Sequence, residues 1–429
     1  MAKNLSIVAN GISGDEGHLL GYNVTDNGTY TPAIGDVARG TSATYVAQDG
    51  TIKTAPPNVA RVDYTNGVAE LLLESEKTNN VTYSEDFSNA FWLKSSISVS
   101  GGYISPSGES NAYQISGNSS SYIQSNNITY TATSAFLSIY VKGVSGQKVR
   151  LRCVRDNFAE TKTSSDFVLN GEWQRIEFYA QFSTTSSILF FRLDLRQNGQ
   201  SVEIFGAQLE LGSTATSYIP TNGGQVTRSA DSLTNFGSQQ IIDSQSGILF
   251  FEGSALSNDL TFRTMSLGNG NEGIINLFYN NASNTIVCSA ENILIIAQVP
   301  DITKNTKFVV KYATNDFTLF ANGVQIGQDT SGYVKANLLR FDFNNGLGGS
   351  PFYGRVRQVK HLPYNTDISK LDIDSNVVYQ GGMRPDLLTT DDENEIIKEA
   401  KKYLDFFKDK RYIFNLGHGI TPDIDPENI

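Results

Sequence analysis

His418 is the first residue to weigh, because it stands between two glycines in Asn415-Leu416-Gly417-His418-Gly419. This is the sharpest motif in the chain, built around the one side chain type that ordinarily titrates near neutrality. His18 and His361, the other histidines, stand at no ligand spacing, which argues against zinc. Cys153 and Cys288 fall in strand-like segments of different domains and read as buried free thiols. No Gly-x-Ser-x-Gly, phosphate loop or catalytic-cysteine pattern occurs. Glycoside hydrolysis needs two carboxylates at a set separation, and no Glu-x-Asp-x-x-Glu strand offers them. The metal the residues could hold is a structural calcium, on Asp194, Glu203 and Glu210, or on Asp342 and Asn344. No other cofactor is expected.

Sugar binding asks for different side chains: aromatic faces for C–H surfaces, and amides or carboxylates for hydroxyls. The candidates are Tyr83, Phe91, Trp92, Tyr103, Tyr113 and Tyr122, and further along Asn344, Asn345 and Tyr353. Trp92 has a competing reading as a core residue, and Trp173 in Glu-Trp-Gln-Arg-Ile-Glu-Phe reads as core outright. Gly346–Gly349, beside Phe-Asp-Phe-Asn-Asn, reads as a flexible loop that could rim a site.

The elements that would position these residues are strands. Of 429 residues, 39% are hydrophobic and 18% charged, with 38 Gly, 20 Tyr and 24 Phe, a mixture suited to short strands and tight turns. The net charge of −11 disfavours nucleic acid and anionic membranes as partners. No apolar run is long enough to insert in a bilayer, and the N-terminus lacks the pattern of a secretory signal.

Residues 1–60 read as a hairpin, with Asp49-Gly50 as its two-residue turn, followed by a linker. Leu71–Leu73 then opens a β-sandwich over 61–219, whose strands are separated by turns such as Asn170-Gly171 and Asn198-Gly199. Residues 220–239 form a turn-rich hinge, and 240–372 form a second sandwich with hairpin turns at Thr314–Asp316 and Asn322-Gly323. The fold class is therefore mainly β, two antiparallel sandwiches in tandem. In 373–429 a short α/β appendage is expected. Its helix is capped by Thr390 and carries Ile396, Ile397, Ala400, Leu404 and Phe407 at helical spacing, and the strand Tyr-Ile-Phe-Asn-Leu-Gly follows.

Three resemblances attach to these stretches. Leu-Leu-Leu-Glu…Thr-Asn…Tyr-Ser-Glu-Asp-Phe…Trp over 71–92 resembles the head of carbohydrate-binding-type jelly rolls in phage tail fibres and virion spikes. Ser-Ile-Tyr-Val-Lys-Gly, Gly-Glu-Trp-Gln-Arg-Ile-Glu-Phe and Phe-Gly-Ala-Gln-Leu-Glu-Leu-Gly follow in the same order. The hairpin ending Phe-Ala-Asn-Gly-Val and the segment Tyr353–Tyr364 are similar to strands of concanavalin-A-like, laminin-G-type lectin domains. The last 50 or so residues resemble a fragment of uroporphyrinogen decarboxylase, through Gln-Gly…Pro-x-Leu-Leu and Phe-Asn-Leu-Gly-His-Gly-Ile. In that family the histidine lines a porphyrin cleft, but a two-element fragment cannot close an eight-stranded barrel. His418 is accordingly expected to be non-catalytic, and the fragment a recombination product. Together the resemblances imply a virion adhesin, made in the host cytoplasm, that binds host cell-surface glycans without covalent chemistry. They also imply assembly with other virion proteins as a homo-oligomer, a trimer by family expectation. A virion glycan depolymerase and a ligand-free decoration protein are the alternatives.

Overall fold

The strand Glu70–Leu73 is buried from end to end, and its partner decides the architecture. The structure is a computed structural model that describes residues 4–8, 18–24, 30–155, 159–239, 242–335 and 337–368, together with 379–381, 401 and 412–414. Glu70–Leu73 pairs with Gly354–Leu362, a strand close to the far end of the sandwich region. Asn4–Val8 shares the same edge of Gly354–Leu362, and Gly247–Ala255 takes the other. From this centre an eleven-stranded sheet runs out to Val324–Asp329 on one side and to Ser232–Thr234 on the other. A five-stranded sheet, from Ile293–Gln298 to Arg340–Asp342, packs on it. Phe251, Phe308 and Val310 from the large sheet meet Leu267, Leu277, Ile286 and Cys288 from the small one, and Leu71 and Leu73 belong to this core.

The other sandwich is an eight-stranded sheet folded on itself. Its longest strand, Gln174–Leu195, pairs from Gln174 to Leu189 with Ile128–Gly143 and from Leu189 onward with Lys148–Arg155 and Ala112–Ser125. Gln200–Leu211 pairs with both Ile128–Gly143 and Ala112–Ser125, which closes the circuit. Long strands bent across two layers give a jelly-roll-like body. Period-two alternation turns Leu137, Ile139, Val141, Leu151, Leu193 and Ile204 inward onto Trp92 and Phe87. Gly206 is required within its strand. Its φ is +65°, and a Cβ there would come within 3.1 Å of the Tyr218 ring.

The mainly β class and the pair of antiparallel sandwiches stand as expected, whereas the segment boundaries differ. Residues before 60 hold more than a hairpin and linker, since Asn4–Val8, His18–Val24 and Tyr30–Ala38 are strands of the second sandwich. The hairpin Ala43–Val46/Ile52–Ala55 has a five-residue loop rather than a two-residue turn, because Val46 registers with Ile52. The stretch 220–239 is pinned rather than hinge-like. Val226–Arg228 pairs with Lys77–Asn79, Ser232–Thr234 with Tyr30–Ala38, and Phe236 sits over Gly35, where any Cβ would clash with its ring. In sequence the jelly roll thus lies between two parts of the second sandwich, entering and leaving through the Lys77–Asn79/Val226–Arg228 ribbon.

Beside that ribbon three arginines meet two carboxylates out of water. Arg61 bonds Glu74 at 2.7 Å and also Asp231, Arg39 reaches Asp231 at 3.0 Å, and Arg228 lies 3.6 Å from Glu74. Ser217 donates to Glu74 through both its backbone N–H and its hydroxyl, each at 2.7 Å. Burial opposes ionisation of Glu74, but Arg228, Arg61 and the Ser217 donors outweigh it and hold the carboxyl well below the usual range.

A second unit contains Tyr364–Ile429. Within it Tyr379–Gly381 pairs in parallel with Tyr412–Phe414. Of the expected helix only Lys401 is described, and it is helical; the rest of that stretch and His418 lie outside the described residues.

Glu74→Gln should cost about 3–5 kcal/mol, because it strands buried guanidinium charge. Urea denaturation measures it, and a loss under about 1 kcal/mol would contradict the role given to the cluster. The Glu74 carboxyl is depressed in the fold, so its contribution is full above its unfolded pKa of about 4.3 and fades as pH falls below that value. The wild-type denaturation midpoint should drop there more steeply than that of Glu74→Gln.

Candidate functional site

A groove of about 390 Å³ opens at one end of the jelly roll, lined by Glu85, Asp86, Gly102, Ser110, Asn111, Tyr113, Thr221 and Asn222. Three segments build it: the loop before Trp92–Tyr103, the turn from the end of that strand into the start of Ala112–Ser125, and the loop after Gln200–Leu211. Ser84 and Thr221 lock the first and third together, the Ser84 N–H donating to Thr221 Oγ1 at 3.0 Å and the Thr221 N–H to Ser84 Oγ at 2.8 Å. Tyr83 and Asn222 form a β-bridge alongside.

The polar atoms of the groove are mostly acceptors. Asp86 Oδ1 receives the Ser88 N–H and hydroxyl and the Tyr113 hydroxyl, the last at 3.0 Å. Partial burial would raise the Asp86 pKa, but the Ser88 and Tyr113 donors win and lower it. Glu85 accepts from the Tyr218 hydroxyl at 3.0 Å and from Asn111 Nδ2 at 3.1 Å. Asn111 Oδ1 is buried with no hydrogen-bond partner among the described residues. An acceptor left bare in this way gains most from an incoming hydroxyl donor. A smaller groove of about 260 Å³ on the second sandwich is edged by Glu272, Asn276 and Lys335, with Glu272 and Lys335 paired at 2.9 Å.

Of the aromatic candidates only Tyr113 lines the groove. Trp92 does not offer a platform. It is 2% exposed, packs against Phe87 and Phe191, and spends its indole N–H on the Tyr83 carbonyl at 2.9 Å. Tyr83 and Phe91 are half-buried, their ring centroids 6.0 Å apart, and Phe91 also stands edge-on to Trp92. Tyr103 joins Trp173 against the cluster of Ile52, Ala112, Phe205 and Tyr218, which seats the jelly roll on the N-terminal hairpin. The Tyr122 ring is covered by the Arg192 guanidinium, 3.4 Å from its centroid. Asn344 and Asn345 turn their oxygens onto N–H groups of 346–349 and so build that loop rather than display their amides. Tyr353 is half-buried, and burial together with nearby Asp231 raises its pKa.

The calcium candidates do not converge. Asp194 engages Arg152 and Arg192, Glu203 lies 3.9 Å from Lys142, Glu210 receives Thr216, and Asp342 receives Arg340 and the Asn235 N–H. Among the described residues no group of three or more His, Cys, Asp or Glu could hold a metal ion. Cys153 and Cys288 are free and buried in separate cores, where burial pushes the Cys288 thiol up to about 12. Sequence reasoning missed Asn111, Asn222 and the Glu85-Asp86 pair. The last falls inside the Tyr-Ser-Glu-Asp-Phe stretch, where its polarity between aromatics was the available signal.

Comparison with known proteins divides the chain. The family model for uroporphyrinogen decarboxylase matches residues 357–429, beginning inside the strand Gly354–Leu362 that the sandwich itself uses. The uroporphyrinogen decarboxylase of Wolbachia pipientis wMel is 44% identical over 68 residues, covering 16% of this chain and 20% of that protein. That of Vesicomyosocius okutanii is 51% identical over 59 residues, covering 14% of this chain and 17% of that protein. The chain thus spans about a fifth of the length of the curated relatives it matches. Among solved structures, the CBM22-1 xylan-binding domain from Paenibacillus barcinonensis matches at 13% identity and a TM-score of 0.26, over 32% of this chain and 94% of that one. Trypanosoma rangeli sialidase matches at 10% identity and the same score, over 82% of this chain and 81% of that one. At such scores these likenesses assign neither family nor ligand.

Trp92→Ala should destabilise the protein by about 3–5 kcal/mol through the cavity it leaves. A melting curve decides it, and an unchanged midpoint would return Trp92 to the surface.

Proposed function

We propose that the protein is a virion adhesin of the tail-fibre or spike type whose jelly roll binds cell-surface glycan without breaking it. The observation that carries the binding reading is the groove around Asn111, with a buried unpaired acceptor and two carboxylates already arranged to receive hydrogen bonds beside the Tyr113 ring. Sugar hydroxyls are the donors such a set suits. Asp86 is held ionised by its neighbours, which suits an acceptor and not the proton-donating acid of a glycosidase. The order of tail-fibre-like motifs through the jelly roll supports the virion assignment, with virion proteins as assembly partners and a trimer multiplying weak sites. The decarboxylase-like segment has no part in this reading.

A glycan array probed with the full chain should return binders. Asn111→Ala should weaken retention about tenfold, because it deletes the bare acceptor that a sugar hydroxyl would fill, and Asn222→Ala should weaken it by less, since Asn222 is exposed at the rim, neither with a matching fall in melting temperature. An array without binders would leave the decoration-protein reading in place. Reducing ends released from host polysaccharide would replace binding by cleavage.

A further inference from the structure

The outward face of the jelly roll's second layer carries a feature that the groove does not use. Cross-strand register puts Tyr122, Asp194 and Arg150 in one row and Gln124, Arg192 and Arg152 in the next. Residues paired in register point to the same side, opposite the buried Ile123, Leu193 and Leu151. Leu93 extends the second row onto the neighbouring strand, where it is 54% exposed. Arg192 and Arg152 are thus directly opposed like charges, an arrangement that costs stability unless an anion lies between them.

Asp194 supplies only part of that anion. It meets Arg192 Nε and Arg152 Nε, each at 2.6 Å, so both guanidinium groups are held by their inner nitrogen. The Arg152 contact lacks hydrogen-bond alignment, and Arg152 Nε and Asp194 Oδ2 have no hydrogen-bond partner among the described residues. Nearby Asp166 Oδ1 takes Arg150 at 2.7 Å and Arg196 Nε at 3.2 Å. Four arginines therefore share two aspartates on a chain whose net charge is −11. Their side chains are 15% to 29% exposed, sheltered enough to strengthen an ion pair yet open to an incoming ligand. Gln124 is 5% exposed, and its Oε1 is buried without a hydrogen-bond partner among the described residues.

We infer that this face binds a carboxylated sugar polymer, a polyuronate, through the outer nitrogens of Arg152, Arg192 and Arg196. The forks match a carboxylate, the bare Gln124 oxygen asks for a hydroxyl on the same ligand, and Leu93 gives a pyranose C–H face an apolar rest. A lone phosphate or sulfate would satisfy the arginines but leave Leu93 unused. The row from Leu93 to Arg152 crosses three inter-strand gaps, roughly 14 Å, which suits a chain of sugars rather than a single ion. The inference rests on the glycan-binding reading and adds the ligand's charge class and a second face.

Calorimetric titration of the full chain with oligogalacturonate, alginate oligomers and hyaluronate oligomers, each beside its carboxyl-reduced counterpart, tests it. At least one acidic set should bind, and its reduced form should bind at least about tenfold more weakly. Raising salt from about 50 to about 500 mM should weaken it further. Arg152→Gln, Arg152→Lys and Arg196→Gln should each lower the affinity, the lysine variant because it keeps the charge but loses the fork. Asn222→Ala should leave it unchanged, and melting curves must show every variant folded. Equal affinity for the reduced forms, or arginine variants without effect, would overturn the proposal. So would inorganic sulfate or phosphate competing as well as the oligomers. Neutral glycans bound through Asn222 with no acidic set bound would sink this proposal alone, whereas no saccharide bound at all would sink both readings.

Discussion

The fold depends on a charged knot where one sandwich is threaded into the other. Glu74 closes the strand that belongs to the second sandwich, and Asp231 lies just past the point where the chain returns from the jelly roll. The two are joined by backbone as well as side chain, since the Asp231 N–H donates to the Glu74 carbonyl and the Glu74 N–H to Asp231 Oδ2, both at 2.9 Å. Arg39 and Arg61 reach in from the N-terminal segment and bond the carbonyls of Val59 and Thr44, while Ser217 reaches in from the end of the jelly roll. Ionic groups out of water add little net stability compared with apolar packing, but they penalise every alternative arrangement heavily. Four chain segments converge here, and together they satisfy both carboxylates.

Much of the strand content was legible because alternation is a local signal. Ala-Phe-Leu-Ser-Ile-Tyr-Val, Lys-Val-Arg-Leu-Arg-Cys and Phe-Phe-Arg-Leu-Asp-Leu-Arg each announce a strand with one buried face. Partnership is not local. Leu71–Leu73 reads as an apolar run that must bury somewhere, and nothing nearby says that Gly354–Leu362 is where. The insertion was invisible for the same reason, as was the role of Arg228 and Asp231 in a stretch that reads as a hinge.

The sites show the same divide between side-chain type and side-chain environment. Trp92 and Tyr113 are both aromatics in polar company, yet one lies at the centre of a core and the other edges a groove, a difference set by strands far away in sequence. The arginine face was written into the alternation: Arg150 and Arg152 occupy the outward positions of one strand and Arg192 that of another, with Arg196 just past its end. The overall acidity of the chain drew attention from it. Net charge describes the molecule at long range, whereas a ligand meets the few groups on one face.

The two faces of the jelly roll also differ in how firmly they are held. The groove sets two loops against the strand that carries Tyr113, and the loops are tied by Ser84, Thr221 and the Asp86 turn, so its shape depends on hydrogen bonds between segments. The arginine face rides on paired strands in fixed register, and the Arg192 guanidinium rests over the Tyr122 ring. A planar cation already stripped of much of its rotamer freedom loses less on meeting a planar anion. The two faces therefore differ in what fixes them, strand register in one and inter-segment hydrogen bonds in the other.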